Sequence, residues 1–225
     1  MIDPKDADDQ LKPGFTLIRA DQDQTLHSAL VQVVRAQAEF ASWVPSTLCV
    51  YYLDAIRVGQ TRIFEKNRRT PQMLAIWSLA TSEQGSGARR DLVVDLYTNS
   101  DRLRSIATRN LVKIEDADAH FRPATDTASH AFTQKMAKAR LVWIGRTADD
   151  STRVSQPSRE SWQVRGLRGA LWNAELAVSP VWRRSLVGSL RVEGKGDLAK
   201  ALKSSPIRFV GPYFEGGKAQ LRFAR

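Results

Sequence analysis

The hydrophobic period of the chain changes at Pro45, and this change limits the folds that the chain can adopt. Before Pro45, apolar residues recur at the spacing of a helix with one buried face. After Pro45, apolar and polar residues alternate, as they do in strands that are buried on one side. One helix followed by many strands predicts an α+β fold that is mainly β. The apolar helical positions are Leu26, Leu30, Val33, Val34, Phe40, Ala41 and Val44.

The predicted N-terminal helix is long and covers about residues 23–44. Asp21, Asp23 or Thr25 can cap its first turn, because their side-chain oxygens accept hydrogen bonds from free backbone amides. Pro45 ends the helix, since proline disfavours helical backbone in the residue before it.

The rest of the chain is expected to form an antiparallel sandwich or barrel of about nine strands, with the helix over an end or open side. Two short helices interrupt the strands, one capped by Ser100 and one beginning at Asp197. Gly216 and Gly217 are typical of a hairpin turn between the last two strands. The predicted strands cover residues 47–58, 72–80, 91–97, 111–116, 138–146, 162–178, 183–193, 206–214 and 218–224.

The domain organisation expected from the sequence is simple. Residues 1–14 are polar and acidic and predict a mobile tail. Residues 15–225 predict a single β-rich domain. No stretch has the length and apolar character of a membrane-spanning helix, so we expect a soluble protein, either cytoplasmic or in a mature exported form. The oligomeric state does not follow from the sequence.

The charge and the cysteine content restrict the kinds of partner and metal site that we expect. The net charge is +10, from 34 Lys and Arg against 24 Asp and Glu, which favours contact with nucleic acid, anionic lipid or acidic polymers. The single cysteine, Cys49, cannot form an intrachain disulfide or a cysteine zinc site. We expect neither a metal nor a cofactor.

A basic, aromatic stretch from residue 161 to residue 184 is the clearest sequence hint of ligand binding. Cationic and aromatic side chains together suit single-stranded nucleic acid, and equally an amphiphilic anion in a pocket. Strand alternation alone also produces this pattern, with tryptophans in the core and arginines in water. The candidate anion contacts are Arg165, Arg168, Arg183 and Arg184, and the candidate apolar walls are Trp162, Trp172 and Trp182.

Carboxylates at two places are candidate catalytic groups. Asp54 stands on the otherwise apolar face of a predicted strand, where an unpaired carboxylate would need a partner or a raised pKa. A bidentate arginine there would make Asp54 structural, whereas a cavity without a cation would make it functional. Asp116, Asp118 and His120 share one face of another strand if that strand continues, although a strand running into solvent explains them as well.

These observations support three functional hypotheses. The leading one is a non-catalytic β-rich binding module for an amphiphilic anionic or lipid-like ligand or an acidic polymer. The second is nonspecific interaction with nucleic acid or another anionic surface, with affinity that falls steeply with salt. The third is a carboxylate-dependent hydrolase or isomerase that uses Asp54 or the group formed by Asp116, Asp118 and His120.

Overall fold

The architecture is known from a computed structural model, which defines most of the chain. The described residues are 1–53, 57–58, 61–62, 72–109, 113–122, 130–136, 138–147, 152–154, 158–166, 170–179, 182–205, 213–215 and 218–224. They contain four α-helices, α1 (Pro4–Asp8), α2 (Ser28–Ala36), α3 (Asp101–Arg109) and α4 (Asp197–Ser204), and a 3-10 helix at Ala38–Ser42.

The N-terminal helix is shorter than predicted, and this part of the prediction is wrong. It begins after His27, whose Nδ1 accepts a hydrogen bond from the Ala29 amide at 3.2 Å. It ends at Gln37, whose extended backbone separates it from the 3-10 helix. Asp23 does not cap it, because that carboxylate accepts hydrogen bonds from Thr25 and from a distant arginine instead.

The two short helices match the prediction. The Ser100 hydroxyl accepts a hydrogen bond from the Leu103 amide at 3.3 Å, which caps α3 as expected from the sequence. α4 begins at Asp197, directly after Gly196. The described strands are β1 (Phe15–Leu17), β2 (Ser46–Leu53), β3 (Arg57–Val58), β4 (Thr61–Arg62), β5 (Gln72–Glu83), β6 (Arg89–Thr98), β7 (Glu115–Arg122), β8 (His130–Met136), β9 (Ala139–Thr147), β10 (Thr152–Arg153), β11 (Ser158–Arg165), β12 (Leu171–Ser179), β13 (Trp182–Arg184), β14 (Leu186–Gly194), β15 (Tyr213–Glu215) and β16 (Lys218–Ala224).

Eleven of these strands form one curled mixed sheet, a half-barrel. The main path runs β14, β9, β8, β7, β6, β11, β12, β16, while β5 pairs with β6 and carries β1 and β2. The mainly β fold class is confirmed, but the antiparallel sandwich or barrel of about nine strands is not. β6 pairs in parallel with both β7 and β11. The pairing with β7 is parallel because α3 carries the chain back before β7 begins.

Two local predictions also differ from the structure. His130, the first residue of β8, lies in a Thr- and Ser-rich stretch that predicts a loop. The pairing of β8 with β7 and β9 overrides that local preference. β15 and β16 do not form the expected hairpin with each other. β15 pairs with β13 in a separate three-stranded sheet, and β16 pairs with β12.

The half-barrel has two apolar faces, which we name after the helices that cover them. The α4 face carries alternate residues of β5, namely Met73, Ala75, Trp77 and Leu79, with Leu198, Ala199 and Ala201 of α4. The α3 face carries Leu74 and Ile76 of β5, Trp162 and Val164 of β11, and Leu103 and Ala107 of α3. Burial of each large apolar side chain contributes about 1.5–3 kcal/mol, so both faces stabilise the sheet.

The N-terminal segment packs against this sheet, although the sequence predicts a mobile tail there. Ile2 is 2% exposed and its backbone pairs with that of Val44. Ala7 of α1 is fully buried in the core of the α4 face. Asp8 and Asp9 are exposed, whereas Asp6, with a side chain that is 15% exposed, pairs with Lys200 of α4 at 2.6 Å.

A buried ion pair fixes the start of β6. The Asp23 side chain is 1% exposed and receives two hydrogen bonds from Arg89, Nε to Oδ1 at 3.0 Å and Nη2 to Oδ2 at 3.1 Å. Arg89 also contacts Asp91 at 3.1 Å. Burial alone would raise the pKa of Asp23, but the hydrogen bonds from Arg89 and Thr25 outweigh it and lower that pKa.

Candidate active site

The opposite end of β6 is held rigidly by side chains that bond to backbone. The Thr98 hydroxyl donates to the Met73 carbonyl at 2.6 Å, and the Asn99 Oδ1 accepts from the Met73 amide at 2.8 Å. Ser100 then starts α3. Residues just before this point on β6 are therefore placed with little freedom, as a functional site requires.

Asp95 and Tyr97 project together from this end of β6 onto the α4 face. A register shift in the pairing of β5 with β6, between Trp77 and Ser78, places Asp95 directly opposite Trp77. The Tyr97 hydroxyl donates a hydrogen bond to Asp95 Oδ2 at 2.9 Å, and Tyr97 is 2% exposed. Burial raises the pKa of Asp95, and the hydrogen bond from Tyr97 only partly opposes that shift.

The pKa of Tyr97 is raised for the same physical reason. Burial is the main cause, and the adjacent Asp95 carboxylate adds to it, because both disfavour a phenolate. Tyr97 therefore keeps its proton at any ordinary pH.

Lys113 and Glu115 reach the same place from the beginning of β7. Tyr97 and Glu115 are direct neighbours in the parallel pairing of β6 and β7. Lys113 Nζ lies 2.6 Å from Glu115 Oε1, and their side chains are 65% and 30% exposed. The hydrogen bond to Glu115 raises the pKa of Lys113, and the charge of Asp95 adds to that effect.

The charges of these side chains are coupled across the two strands. Glu115 raises the pKa of Asp95, whereas Lys113 and Lys12 lower it by a smaller amount than burial raises it. The charge of Asp197, at the start of α4, adds a smaller increase to the pKa of Tyr97. We refer to Asp95, Tyr97, Lys113 and Glu115 as the β6–β7 cluster.

The β6–β7 cluster has the groups that proton-transfer and carbonyl chemistry need. It contains an amine, a carboxylate that can accept the amine's proton, and a half-buried carboxyl group whose pKa is raised by burial. Within the described part of the chain, no group of three His, Cys, Asp or Glu side chains is placed to hold a metal ion. Likewise, no helix among the described residues is long and apolar enough to cross a membrane.

The carboxylates singled out from the sequence lie elsewhere. Asp54 is outside the described residues. Asp116 and Asp118 both lie on β7 and are exposed, and Asp116 pairs with Arg104 of α3. His120 is on the same strand, further from the β6–β7 cluster. Their role in catalysis stays a prediction.

The arginines and tryptophans singled out from the sequence are distributed over three places. Trp162 is 4% exposed in the core of the α3 face, and Trp172 packs against that core. Trp182 is 40% exposed on β13, in the separate three-stranded sheet. Arg165 lies on β11, Arg183 and Arg184 lie on β13, and Arg168 is outside the described residues. Their assignment to a ligand stays a prediction.

Sequence reasoning missed the β6–β7 cluster, although one signal for it was present. Asp95 interrupts an apolar strand just as Asp54 does, and Tyr97 follows at the spacing that puts both on one face. Lys113 and Glu115 have the same spacing on the next strand. Only the parallel pairing of β6 with β7, which the sequence does not reveal, brings the two pairs together.

Sequence comparison finds no relative: no model of a known protein family matches the chain, and no curated protein matches it either. Solved structures do match. The chain has the fold of acetoacetate decarboxylase from Legionella pneumophila, with a TM-score of 0.52 at 10% sequence identity, over 98% of this chain and 78% of that one. A weaker similarity is to the enduracididine biosynthesis enzyme MppR complexed with pyruvate, with a TM-score of 0.47 at 12% identity, over 97% of this chain and 84% of that one.

This fold corrects the function expected from the sequence. The sequence predicts a non-catalytic binding module, with nucleic-acid interaction or a hydrolase or isomerase as alternatives, whereas the solved structure that shares the fold is a decarboxylase. The prediction is wrong because it rests on basic and aromatic composition, which strand alternation produces in many β proteins. The titratable cluster, by contrast, leaves no trace in composition.

Proposed function

We propose that the protein is an enzyme that acts on the carbonyl group of a small oxo acid, with Lys113 as the nucleophile, and that it releases carbon dioxide from that acid. The observation that carries the proposal is the 2.6 Å contact between Lys113 Nζ and Glu115 Oε1 beside the Asp95–Tyr97 pair. Lysine amines form imines with carbonyl substrates, and such an imine withdraws electrons from a neighbouring bond. The similarity in fold to a decarboxylase supports this choice of reaction.

Each group of the β6–β7 cluster has a role in this proposal. Glu115 accepts a proton from the Lys113 ammonium, the free amine adds to the substrate carbonyl carbon with loss of water, and Glu115 returns the proton to the imine nitrogen. The bond between the substrate and its carboxylate then breaks, and its electron pair moves into the protonated imine. Carbon dioxide leaves, and the carboxyl group of Asp95 donates a proton to the carbon and takes up another from solvent. Water finally hydrolyses the imine, which frees the product ketone and the lysine.

The electrostatics of the resting site predict how this chemistry depends on pH. Because Glu115 raises the pKa of Lys113, the lysine is an ammonium ion at neutral pH. The fraction of reactive amine therefore increases as the pH rises towards that pKa. Imine formation should be faster in alkaline than in neutral solution.

The proposal is tested by trapping the imine. The protein is incubated with acetoacetate and sodium borohydride, and the reduced adduct is measured by intact mass and located by peptide mapping. We expect one adduct, on Lys113, with a yield that increases with pH, together with release of carbon dioxide in the absence of borohydride. Lys113→Arg keeps the charge but has no nucleophilic amine, and it should abolish both signals.

The matched control is Lys138→Arg, in the exposed turn between β8 and β9. It should react like the original protein. Two outcomes would contradict the proposal: an adduct that persists in Lys113→Arg, or the absence of any adduct with acetoacetate, pyruvate and a panel of longer oxo acids.

A further inference from the structure

A groove lies between α4 and the turn that leads into it from β14. Its volume is about 530 Å³, which is the size of a binding site for a small molecule. We call it the lysine groove, because three of the described residues that line it are lysines and none is acidic. Such a lining favours a negatively charged ligand. The residues are Gly194, Lys195, Gly196, Lys200, Lys203 and Ser204.

The turn before α4 forms a fixed wall of the lysine groove. The backbone of Gly194 has a positive φ of 92°, and a Cβ atom at this position would overlap the Lys138 carbonyl oxygen. Only glycine fits such a turn without strain. The Lys195 amide donates a hydrogen bond to the same carbonyl oxygen at 3.0 Å. The opposite wall is α4, whose lining residues are three and four positions apart and therefore share one side of the helix.

This wall of α4 already binds an anionic group of the protein itself. Lys200 Nζ lies 2.6 Å from Asp6 Oδ1, and the Ser204 hydroxyl donates a hydrogen bond to Asp6 Oδ2 at 3.2 Å. The hydrogen bond to Asp6 raises the pKa of Lys200, and the charges of Asp9 and Asp197 add smaller increases. Two residues that line the groove thus hold a carboxylate between them, which shows that they can bind an anion.

The other two ammonium groups have no carboxylate partner in the described part of the chain. Lys203 Nζ donates a hydrogen bond to the neutral Gly194 carbonyl oxygen at 2.7 Å, and an ammonium has two further N–H donors. Lys195 is exposed, and no described acidic side chain pairs with it. A phosphate monoester carries a charge of about −1.5 to −2 at neutral pH, so its charge matches these two groups.

The dimensions of the lysine groove favour a small molecule over a polymer. Its lining residues all lie between residues 194 and 204, so their charges converge on one place. A nucleic acid instead contacts cations that are spread along its backbone. A free phosphate ion would fill only a small part of the groove. The methylene groups of the lysine side chains offer apolar surface to an organic part of the ligand.

We propose that the lysine groove binds a small organic phosphate, whose phosphate group contacts Lys195 and Lys203 and whose organic part lies along the lysine side chains. Asp6 opposes this binding, because its carboxylate repels the phosphate and occupies Lys200. The residues of the β6–β7 cluster do not line this groove. The inference is therefore independent of the proposed function, and a failure of imine trapping does not decide it.

The test is a titration followed by proton–nitrogen NMR at constant ionic strength. The probes are phenyl phosphate, inorganic phosphate, benzoate and a short single-stranded oligonucleotide. We expect saturable shifts of the backbone amides between residues 194 and 204. Phenyl phosphate should bind more tightly than inorganic phosphate, which lacks the organic part, and more tightly than benzoate, which has a single charge. An oligonucleotide that binds more tightly than phenyl phosphate would overturn the choice of a small molecule.

Three variants locate the site. Lys195→Gln should weaken phenyl phosphate binding about fivefold, because it removes a charge close to the phosphate. Asp6→Asn should strengthen binding by a similar factor, because it removes the competing carboxylate. The matched control is Arg102→Gln, which removes an exposed positive charge from α3 and should leave the affinity unchanged. Shifts that do not saturate, equal weakening in Lys195→Gln and Arg102→Gln, or no gain in Asp6→Asn would overturn the inference.

Discussion

The aspartates beside the two ends of β6 have pKa values that are shifted in opposite directions. At the beginning of the strand, Asp23 and Asp91 share Arg89, and the Asp23 carboxylate is charged although its side chain is 1% exposed. At the end, Asp95 is bonded to a neutral hydroxyl group, and burial raises its pKa. The first carboxylate is held by a cation and stabilises the fold, whereas burial shifts the second towards its protonated form, as at many functional sites.

The two aspartates differ in whether a cation is hydrogen-bonded to the carboxylate among the described residues. Arg89 contacts Asp23 through two nitrogens, which is the arrangement that marks a structural ion pair. Lys113 lies near Asp95, but it hydrogen-bonds to Glu115 instead. Among the residues that the structure describes, no cation therefore bonds to Asp95 to offset the cost of its burial. Natural proteins accept that cost mainly at functional sites.

The largest expected effect comes from breaking the structural pair. Arg89→Met leaves the Asp23 carboxylate buried without its cation, and we expect a loss of about 3 kcal/mol in the free energy of unfolding. Urea denaturation at neutral pH measures this loss. The control is Arg90→Met, because Arg90 pairs with Glu83 at 3.4 Å and is 43% exposed, so its removal should cost less than about 1 kcal/mol. Equal losses in the two variants would contradict the assignment.

The next effect concerns the hydroxyl group that supports Asp95. Tyr97→Phe removes the donor to Asp95 Oδ2, and we expect a loss of about 1–2 kcal/mol at neutral pH. The pKa of Asp95 should rise further, because the hydrogen bond lowers it in the original protein. Carbon-13 NMR of labelled aspartate during a pH titration reports that pKa. A fall in the Asp95 pKa would show that the Tyr97 hydroxyl does not stabilise the Asp95 carboxylate.

The two aspartates should also give pH dependences of opposite sign. Asp23 has a lowered pKa in the folded state, so its contribution is present above its unfolded pKa of about 3.9 and is lost as the pH falls through the folded value. Asp95 has a raised pKa, so its contribution is present below about pH 3.9 and is lost as the pH rises through the folded value.

Asn substitutions at Asp23 and Asp95 distinguish the two opposite pH dependences of stability. Asp23→Asn should be destabilising at neutral pH and nearly neutral in acid. Relative to the original protein, Asp95→Asn should become more stable as the pH rises from about 4 to about 7. Unfolding free energies across this range provide the measurement, and parallel profiles for the two variants would refute the contrast.

The smallest expected effect on stability is that of Glu115→Gln. The Lys113–Glu115 pair is partly exposed, so its loss should cost less than about 1 kcal/mol. The chemical effect is larger than the structural one. Without the Glu115 carboxylate the pKa of Lys113 falls towards its ordinary value, and the pH midpoint of borohydride trapping should move to lower pH. A midpoint that does not move would remove Glu115 from the proposed mechanism.

Local patterns were sufficient for some elements and not for others. The alternation after Pro45 correctly indicated β5, β6, β9 and β16, and Ser100 correctly indicated the start of α3. These features depend on neighbouring residues in the chain. The parallel pairing around β6, the strand β8 and the early end of α2 depend on contacts between distant segments, and no local pattern encodes those contacts.

The same difference between local patterns and long-range contacts explains why the sequence reveals only part of the candidate site. An aspartate in an apolar strand is visible in the sequence, and the choice between a structural and a functional carboxylate, raised for Asp54, applies equally to Asp95. That choice depends on the partner of each carboxylate, which the sequence does not reveal. Arg89, for example, is 66 residues from Asp23 in sequence, and only the fold shows that the two are paired. For Asp54, which lies outside the described residues, the question stands as a prediction.

The crossover from β6 through α3 to β7 has a consequence for how this protein can change. All four side chains of the β6–β7 cluster lie between residues 95 and 115, so a single β-α-β unit carries the reacting groups. The strands β5, β11 and β12 that carry the α3 face lie outside this unit. The proposed chemistry could therefore be altered, in evolution or by engineering, through exchange of one short contiguous segment of the chain.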